Sequence, residues 1–459
     1  MVTKSAGPQT TLSYVAPSRL DDAGLGLSTS GGRADHPYFF RGFVDNAEQA
    51  ARALLAVAEV SQSRYFDLSA RADMKDPVVT SNVSALRFES FSACNGVYAR
   101  FDIDAEGFDA EWVDWGTTNV DLNAPVRLAL AAITPGEALR LTVGADAVEF
   151  ETLGDAVVES KVPLPERWLR GFAETQIAAS AMRPIVRLSG AQARIALREF
   201  ARLKLSERTP WVSFAGPRPL ATSTPTDQTP CLVGGQRVGA LARLSGYATG
   251  LTVYAPERRR RLGMGGSAGH EWVRQPSAWV VDMEGARFTL VVSPELYRGF
   301  SGEGAVLGSL AKTPEEQVRR VEQELRGQAI LNVADLAAAT GLASEHVEAA
   351  LAVLGASGRT GFDLHAGAFF HRDLPYDRTV LSELQPRLKD AWQLVSLDAV
   401  TAAEGGGAFD VLSRDSTYRV VLGEVDRCTC PWFAKHRGER GPCKHVLAAG
   451  LVGADALSR

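Results

Sequence analysis

Three of the five cysteines in this chain of 459 residues lie within sixteen positions near the C-terminus. One residue separates Cys428 from Cys430, and twelve residues later come Cys443 and His445, also separated by one residue. Thiolates and imidazole nitrogens are ligands that Zn²⁺ prefers. On an extended strand, residues i and i+2 point to the same face about 7 Å apart, so the first two thiols can converge on one ion.

Cys443 and His445 need a different local structure to reach the same ion. Within a regular helix, two residues at this spacing project about 200° apart. They converge only if Cys443 lies on a turn and His445 lies in the first helical turn. Pro442 just before them and the apolar run just after them favour a helix that begins at this point.

Three thiolates and one imidazole would fill all four positions of a tetrahedral zinc ion. A filled site leaves no position for a substrate, so the sequence predicts one structural zinc ion and no catalytic residue. The alternative is a small core of buried thiols without metal. His436 lies between the two ligand pairs, but no second ligand-type residue lies at the pair spacing from it. We expect His436 at the surface.

Basic residues surround the predicted ligands, against the single acidic residue Glu439: Arg427, Lys435, Arg437, Arg440 and Lys444. In one interpretation they neutralise a zinc site that three thiolates make negative. In the other they form a face that contacts nucleic-acid phosphate or a partner. The sequence leaves both open. We expect Trp432 and Phe433 in the core of this unit.

The elements that must position these ligands are a hairpin and a helix. Residues 408–424 alternate in polarity on both sides of Arg414-Asp415-Ser416, which predicts a β-hairpin leading into Cys428. This arrangement, with a helix opening at Lys444-His445-Val446, resembles the SWIM zinc finger. The resemblance implies a ββα unit over residues 408–455 that holds one zinc ion through the four ligands.

The family also suggests partners. SWIM modules are described as DNA-binding or protein-interaction modules. The whole chain is similar to bacterial SWIM zinc finger proteins that accompany MoxR-type ATPases and von Willebrand A proteins. That similarity implies a partner complex of this kind.

The remaining chain predicts an α+β multidomain fold. Residues 36–210 alternate helical and strand patterns, beginning with a helix over residues 46–60. This order resembles the half-repeat of sliding DNA clamps and implies a clamp-like fold. Rings around DNA are lined by basic helices, whereas the first helix here offers Arg52 and the second only Arg127. We therefore do not expect a ring.

A Pro-, Thr- and Ser-rich segment at 215–230 predicts a linker, and residues 231–305 predict a small β-rich unit. Inside that unit, four arginines at 258–261 precede a glycine-rich loop. A phosphate-contacting hairpin and a solvated loop are both open. We favour the loop, because the chain has no GxxxxGK[ST] motif.

Residues 312–375 resemble a winged helix-turn-helix domain, with three helices followed by a hairpin. In DNA-binding members the third helix enters the major groove. Here that helix presents Glu345, His346 and Glu348, and residues 312–378 carry seven basic against ten acidic side chains. We therefore expect a packing or protein-contact module rather than a sequence reader.

A net charge of −5 argues against a global nucleic-acid footprint, so any such binding must use a local patch. No signal peptide or membrane span is recognisable, and we expect a cytoplasmic protein. The favoured function is a non-catalytic zinc-binding adaptor. The alternatives are a winged-helix DNA-binding regulator and an enzyme with an unrecognised site in residues 1–300, for example around His36 or His270.

Overall fold

The computed structural model describes residues 19–21, 24–26, 37–66, 77–162, 166–262, 270–325, 327–372, 385–404, 407–423 and 425–457. Within these residues the fold is mixed α/β with several sheets, which confirms the predicted class in outline. His36 and the glycine-rich loop at 263–269 lie outside the described residues. No helix in the described ranges is long and apolar enough to cross a membrane.

The strands form two large sheets, a four-stranded sheet near the C-terminus and several separate hairpins. In chain order they are β1 (Arg19–Asp21), β2 (Gly24–Gly26), β3 (Tyr38–Val44), β4 (Val78–Asn82), β5 (Ala85–Phe91), β6 (Val97–Asp104), β7 (Phe108–Val113), β8 (Gly116–Asn119), β9 (Leu139–Gly144), β10 (Ala147–Glu151), β11 (Ala156–Ser160), β12 (Met182–Ser189), β13 (Trp211–Ala215), β14 (Arg218–Thr222), β15 (Gly250–Pro256), β16 (Arg260–Leu262), β17 (His270–Trp272), β18 (Ser277–Met283), β19 (Ala286–Val292), β20 (Thr360–Asp363), β21 (Ala368–His371), β22 (Val400–Ala402), β23 (Ala408–Ser413), β24 (Ser416–Val421) and β25 (Arg427–Cys428).

Some of the helices begin at a capping side chain. At α1, for example, the Asn46 side chain accepts a 3.0 Å hydrogen bond from the Gln49 N–H and so caps the helix. The helices are α1 (Ala47–Gln62), α2 (Ala124–Ala132), α3 (Glu166–Ser180), α4 (Gly190–Phe200), α5 (Val306–Lys312), α6 (Glu315–Glu324), α7 (Val333–Thr340), α8 (Ser344–Ala356), α9 (Pro386–Ser396), α10 (Pro431–His436) and α11 (Lys444–Leu457). Short 3₁₀ helices cover Ala105–Gly107, Gly235–Leu244 and Phe300–Gly302.

One eight-stranded sheet crosses the predicted boundary at residues 215–230. Its order is β12-β15-β18-β19-β6-β5-β4-β8, in which β12 pairs with β15 and β6 pairs with β19. Strands of the predicted unit at 231–305 therefore belong to the same sheet as strands of the region at 36–210. The predicted linker itself contains β14, which pairs with β13 in a hairpin. Polarity alternation fixes which side chains face the core, but not which strands pair.

The second large sheet has the order β11-β10-β9-β3-β7. The main core joins residues of both sheets with the buried faces of α1, α2 and α4. The helix α3 supplies a second core, in which Trp168 and Phe172 pack against Phe91 of the eight-stranded sheet. Eleven of the sixteen residues of α1 are buried, because the helix packs into the main core.

The region at 312–375 contains α6, α7, α8 and the hairpin β20–β21 in the predicted order, and its last described residue is Arg372. Its third helix, α8, packs against α3 and α6. Every residue of β21 is buried. Glu345, His346 and Glu348 are exposed at the start of α8. The hairpin and the C-terminal half of α8 are thus packing elements.

Buried charges hold this hairpin to the eight-stranded sheet. Arg372 donates hydrogen bonds of 2.6 and 2.7 Å to the two carboxylate oxygens of Glu89. Arg100 lies 2.7 Å from Asp102 and 3.2 Å from Asp363 of the hairpin. Burial by itself raises the pKa of Glu89, but the charge and hydrogen bonds of Arg372 outweigh it, so the pKa is lowered. Glu89 is therefore a buried carboxylate that needs its arginine.

We expect Arg372→Met to destabilise the protein by about 3–5 kcal/mol, because it leaves the Glu89 carboxylate buried without its counter-charge. Arg319→Met is the matched control, since Arg319 pairs with Glu316 at the surface, where water and salt screen the pair and its loss costs little. Urea unfolding followed by circular dichroism measures both. Equal losses in the two variants would contradict a special role for the buried pair.

Candidate metal centre

The four-stranded sheet β22-β23-β24-β25 delivers the first ligand. The predicted hairpin forms as β23–β24, with Arg414 at its turn in a left-handed conformation of φ 56°. Cys428 pairs with Val420 on the neighbouring strand. Its side chain therefore lies on the same face of the sheet as the buried Val420.

The second ligand, Cys430, begins a helix. It is the N-cap of α10, and its sulfur accepts a hydrogen bond of 3.3 Å from the Phe433 N–H. The Cys430 N–H in turn donates to the Cys428 sulfur at 3.4 Å. Backbone N–H donors of this kind stabilise sulfur atoms that carry negative charge.

The third and fourth ligands lie at the helix start that the sequence predicts. Cys443 immediately precedes α11, and its carbonyl oxygen accepts a 3.0 Å hydrogen bond from the Leu447 N–H. His445 is the second residue of α11. Its Nδ1 lies 3.8 Å from the Cys428 sulfur and 3.9 Å from the Cys443 sulfur. The turn and the first helical turn thus bring the pair together.

The four donor atoms all lie within 4.8 Å of one another, and all four residues are buried. Zinc bonds of about 2.0–2.3 Å in a tetrahedron place the ligand atoms roughly 3.5–3.8 Å apart. The two measured sulfur–nitrogen distances are close to that range. The donor set therefore fits one structural zinc ion, with Cys428, Cys430, Cys443 and His445 as its ligands.

Two of the three thiols, those of Cys430 and Cys443, are hard to ionise without an ion between them. Burial raises the pKa of Cys430. The hydrogen bond with Cys428, and after it burial, raises the pKa of Cys443 to about 12. A zinc ion binds thiolates and so takes the place of these protons. Proton release on zinc binding follows from this arrangement.

Residues 418–449 match the SWIM zinc finger family. The match contains all four ligands, the strand β25, the short helix α10 and the start of α11. The chain therefore carries a SWIM zinc finger at its C-terminal end, as the resemblance implies. No curated protein matches the chain as a relative.

Solved structures of sliding clamps share a weak likeness with the chain. Proliferating cellular nuclear antigen from Entamoeba histolytica has 10% sequence identity and a TM-score of 0.35, with 56% of this chain and 99% of that chain covered. The A. fulgidus PCNA bound to the C-terminal region of FEN-1 has 11% identity and a TM-score of 0.33, with 56% and 98% covered. Both TM-scores are low, so the clamp-like fold stays a prediction.

Other residues of the SWIM finger surround the ligand cluster without joining it. His436 is half-buried, and its ring lies 4.7 Å from that of Trp432. Trp432 and Phe433 are partly buried and pack against the finger's core, as predicted. The Tyr418 ring lies 4.5 Å from the His445 ring and covers that ligand.

The five flanking basic residues fall into two groups. Arg440 is half-buried and donates a 2.8 Å hydrogen bond to the Gly302 carbonyl oxygen, while Lys444 lies 3.6 Å from the Asp390 carboxylate. These two residues make contacts within the chain. Arg427, Lys435 and Arg437 are exposed. Among the five, these three side chains are the ones at the surface.

Arg387 is a functional residue that the sequence analysis missed. It lies in α9 and donates hydrogen bonds to the carbonyl oxygens of Arg440 and Pro442, at 2.6 and 3.1 Å, and to that of Glu303. It thereby joins the loop before Cys443 to the segment before α5. Backbone acceptors leave no side-chain pattern, so no sequence signal pointed to this contact.

The same loop touches the rest of the chain directly at Gly441. An added Cβ there would lie 1.9 Å from the Gly304 carbonyl oxygen, and Gly441 has φ +72°. Together with α11, which packs on α5 and α9, this contact docks the finger on the preceding helices. The SWIM finger is therefore part of the folded body.

We expect purified protein to hold one zinc ion per chain after washing with a mild chelator. Cys443→Ser should lower the zinc content well below one per chain and lower the melting temperature, because one strong ligand is lost. Cys94→Ser is the control, since Cys94 is a buried thiol outside the cluster. Elemental analysis and thermal unfolding report the two effects. Full zinc content in Cys443→Ser would refute this ligand assignment.

We expect Gly441→Ala to weaken docking of the finger more than Gly438→Ala. Both glycines have positive φ, of +72° and +82°, but a Cβ at Gly438 would meet nothing within 4 Å. The left-handed backbone alone costs an L-residue about 1–2 kcal/mol, and the clash with Gly304 adds to this at Gly441 only. Limited proteolysis and thermal unfolding measure the difference. Identical behaviour of the two variants would show that the contact at Gly304 is not important.

Proposed function

We propose that this chain is a non-catalytic, zinc-dependent adaptor whose SWIM finger binds an anionic partner, either nucleic acid or an acidic protein surface. The observation that carries the proposal is the closed ligand set beside three exposed cations. All four zinc positions are taken by buried side chains. The metal then holds the finger's shape and has no position for a substrate.

The exposed cations Arg427, Lys435 and Arg437 give the finger its contact surface. Arg427 lies on the outer face of the sheet, opposite Val421. Lys435 and Arg437 lie at the end of α10. Arg437 has a left-handed backbone with φ 48°, and Gly438 follows with φ +82°, which turns the chain sharply there. Because the finger docks through its other side, this surface faces outward.

The competing function as a winged-helix DNA-binding regulator has less support. The exposed start of α8 carries Glu345 and Glu348, which repel phosphate, and the hairpin after it is buried. The winged-helix-like and clamp-like descriptions remain proposals about fold, and the adaptor function depends on neither. In the described part of residues 1–300, no specific contact favours an enzyme site.

The resemblance to bacterial SWIM proteins extends the proposal to partners. A MoxR-type ATPase and a von Willebrand A protein are the protein partners that it implies, in the cytoplasm. The family match itself covers residues 418–449 only. The two partner proteins are therefore proposed from the similarity of the whole chain to bacterial SWIM proteins.

Neutralising the finger surface should remove partner binding without removing zinc. The test variant combines Arg427→Gln, Lys435→Gln and Arg437→Asn. Asparagine is used at position 437 because it tolerates the left-handed backbone there. The control variant combines Arg243→Gln, Arg319→Gln and Lys389→Gln. It removes the same amount of positive charge at exposed sites outside the finger. We expect a pull-down with the first variant, or with Cys428→Ser, to lose the partners that wild type and control retain.

Nuclease treatment of the same pull-down separates the two partner classes. Partners lost on nuclease treatment are held through nucleic acid, and resistant ones are proteins. Zinc analysis of the neutralised variant confirms that its fold is intact. Equal partner recovery with wild type, the neutralised variant and Cys428→Ser would overturn the proposed function.

A further inference from the structure

A second concentration of positive charge lies far from the finger in sequence. Residues 181–220 contain eight basic and two acidic side chains, a net of +6 in a chain whose total is −5. We name this set the basic edge: Arg183, Arg187, Arg194, Arg198, Arg202, Lys204, Arg208 and Arg218. The SWIM match at residues 418–449 does not include these residues.

The basic edge begins on a sheet edge. β12 pairs with β15 alone and is the first strand in the order of the eight-stranded sheet. Arg183 and Arg187 on this strand are exposed. The backbone is irregular between Pro184 and Val186, which discourages another strand from pairing there. The edge thus presents side chains rather than a template for a further strand.

The helix α4 continues the basic edge directly after β12. Its apolar face, with Ala193, Ala196, Leu197 and Phe200, is buried in the main core. Arg198 on the other face is exposed, and Arg194, one turn earlier, is half-buried. The apolar face of α4 is thus buried, and its outward face presents Arg198 and the half-buried Arg194 beside the exposed Ile195.

The rest of the basic edge follows α4 along the chain. Arg202, Lys204 and Arg208 follow α4 and are exposed. The hairpin β13–β14 then contacts α4, where the Phe200 and Phe214 rings lie 6.4 Å apart, and Arg218 is exposed at the start of β14. Strand, helix and hairpin therefore form one continuous surface.

These cations are poorly compensated within the chain. In the part of the chain that the structure describes, only Arg202 among the eight has a carboxylate within 4.0 Å, that of Glu199 at 3.0 Å. Arg194 donates instead to the Ala248 carbonyl oxygen at 3.4 Å. Arginines elsewhere, such as Arg140, Arg287 and Arg298, lie beside carboxylates. The basic edge therefore has charge available for an external partner.

We propose that the basic edge binds the sugar–phosphate backbone of nucleic acid, independently of the SWIM finger. Seven of its eight cations are arginines, whose planar forks match phosphate oxygens. A lipid surface fits less well, because a helix that binds membranes inserts its apolar face, and that of α4 is in the core. Such binding reads charge and not base sequence.

The proposal does not depend on the function proposed for the finger. The basic edge packs on the eight-stranded sheet, whereas the finger packs on α5 and α9. Failure of one surface therefore leaves the other testable in the same full-length protein.

The test is the affinity of the full chain for a labelled duplex of about 30 base pairs, measured by fluorescence anisotropy between about 50 and 200 mM salt. The variant is Arg198→Gln, Lys204→Gln, Arg208→Gln, at three exposed sites. We expect affinity to fall about tenfold or more, and the slope of log affinity against log salt to shrink by about 2–3.

The matched control, Arg319→Gln, Lys389→Gln, Arg414→Asn, removes the same charge at exposed sites elsewhere and should bind within about twofold of wild type. Thermal unfolding establishes that both variants are folded. Unchanged affinity and slope in the basic-edge variant would overturn the proposal. So would a wild type that binds vesicles containing phosphatidylserine but not the duplex.

Discussion

The convergence of three thiols and one imidazole on a single point is the constraint on which the C-terminal structure depends. The elements that carry the ligands are too short to be stable alone, since β25 has two residues and α10 has six. The three cysteines form a small buried core, and burial raises the pKa of Cys430. A zinc ion converts this weak core into four strong bonds. Those bonds fix the strand, the short helix and the long helix in one geometry.

The same constraint extends beyond the finger through Arg387. Its guanidinium is largely removed from water, and burial lowers its pKa, so the three carbonyl oxygens that it reaches must replace its hydration. Two of those oxygens belong to the loop that carries Cys443. A change in ligand geometry therefore reaches α9 and the segment before α5 directly. Zinc binding therefore supports the structure of the finger and also its packing against the rest of the chain.

How much of this could be predicted from the sequence depends on how local the cause is. The ligand set, the hairpin and the helix start at Lys444 were predictable, because ligand spacing and helix-start signals act over a few residues. The pairing of β6 with β19 was not, because alternation does not specify a partner strand. Glu89 and Arg372 are 283 positions apart, and nothing near either residue indicates the other. Arg387 escaped prediction because it binds backbone atoms.

The arginines of this fold differ in whether the chain itself supplies a carboxylate partner for them. At the buried Arg100 and Arg372, carboxylates from distant segments, Asp363 and Glu89, meet the guanidinium groups, because an unpaired buried charge would be costly. At the basic edge and on the finger surface, folding supplies few such partners. Neighbouring cations there repel one another, so the folded chain gains nothing from their grouping. An anion from outside turns this electrostatic repulsion into attraction. The two surfaces together would let a chain with a net charge of −5 hold a negatively charged polymer at two separate places.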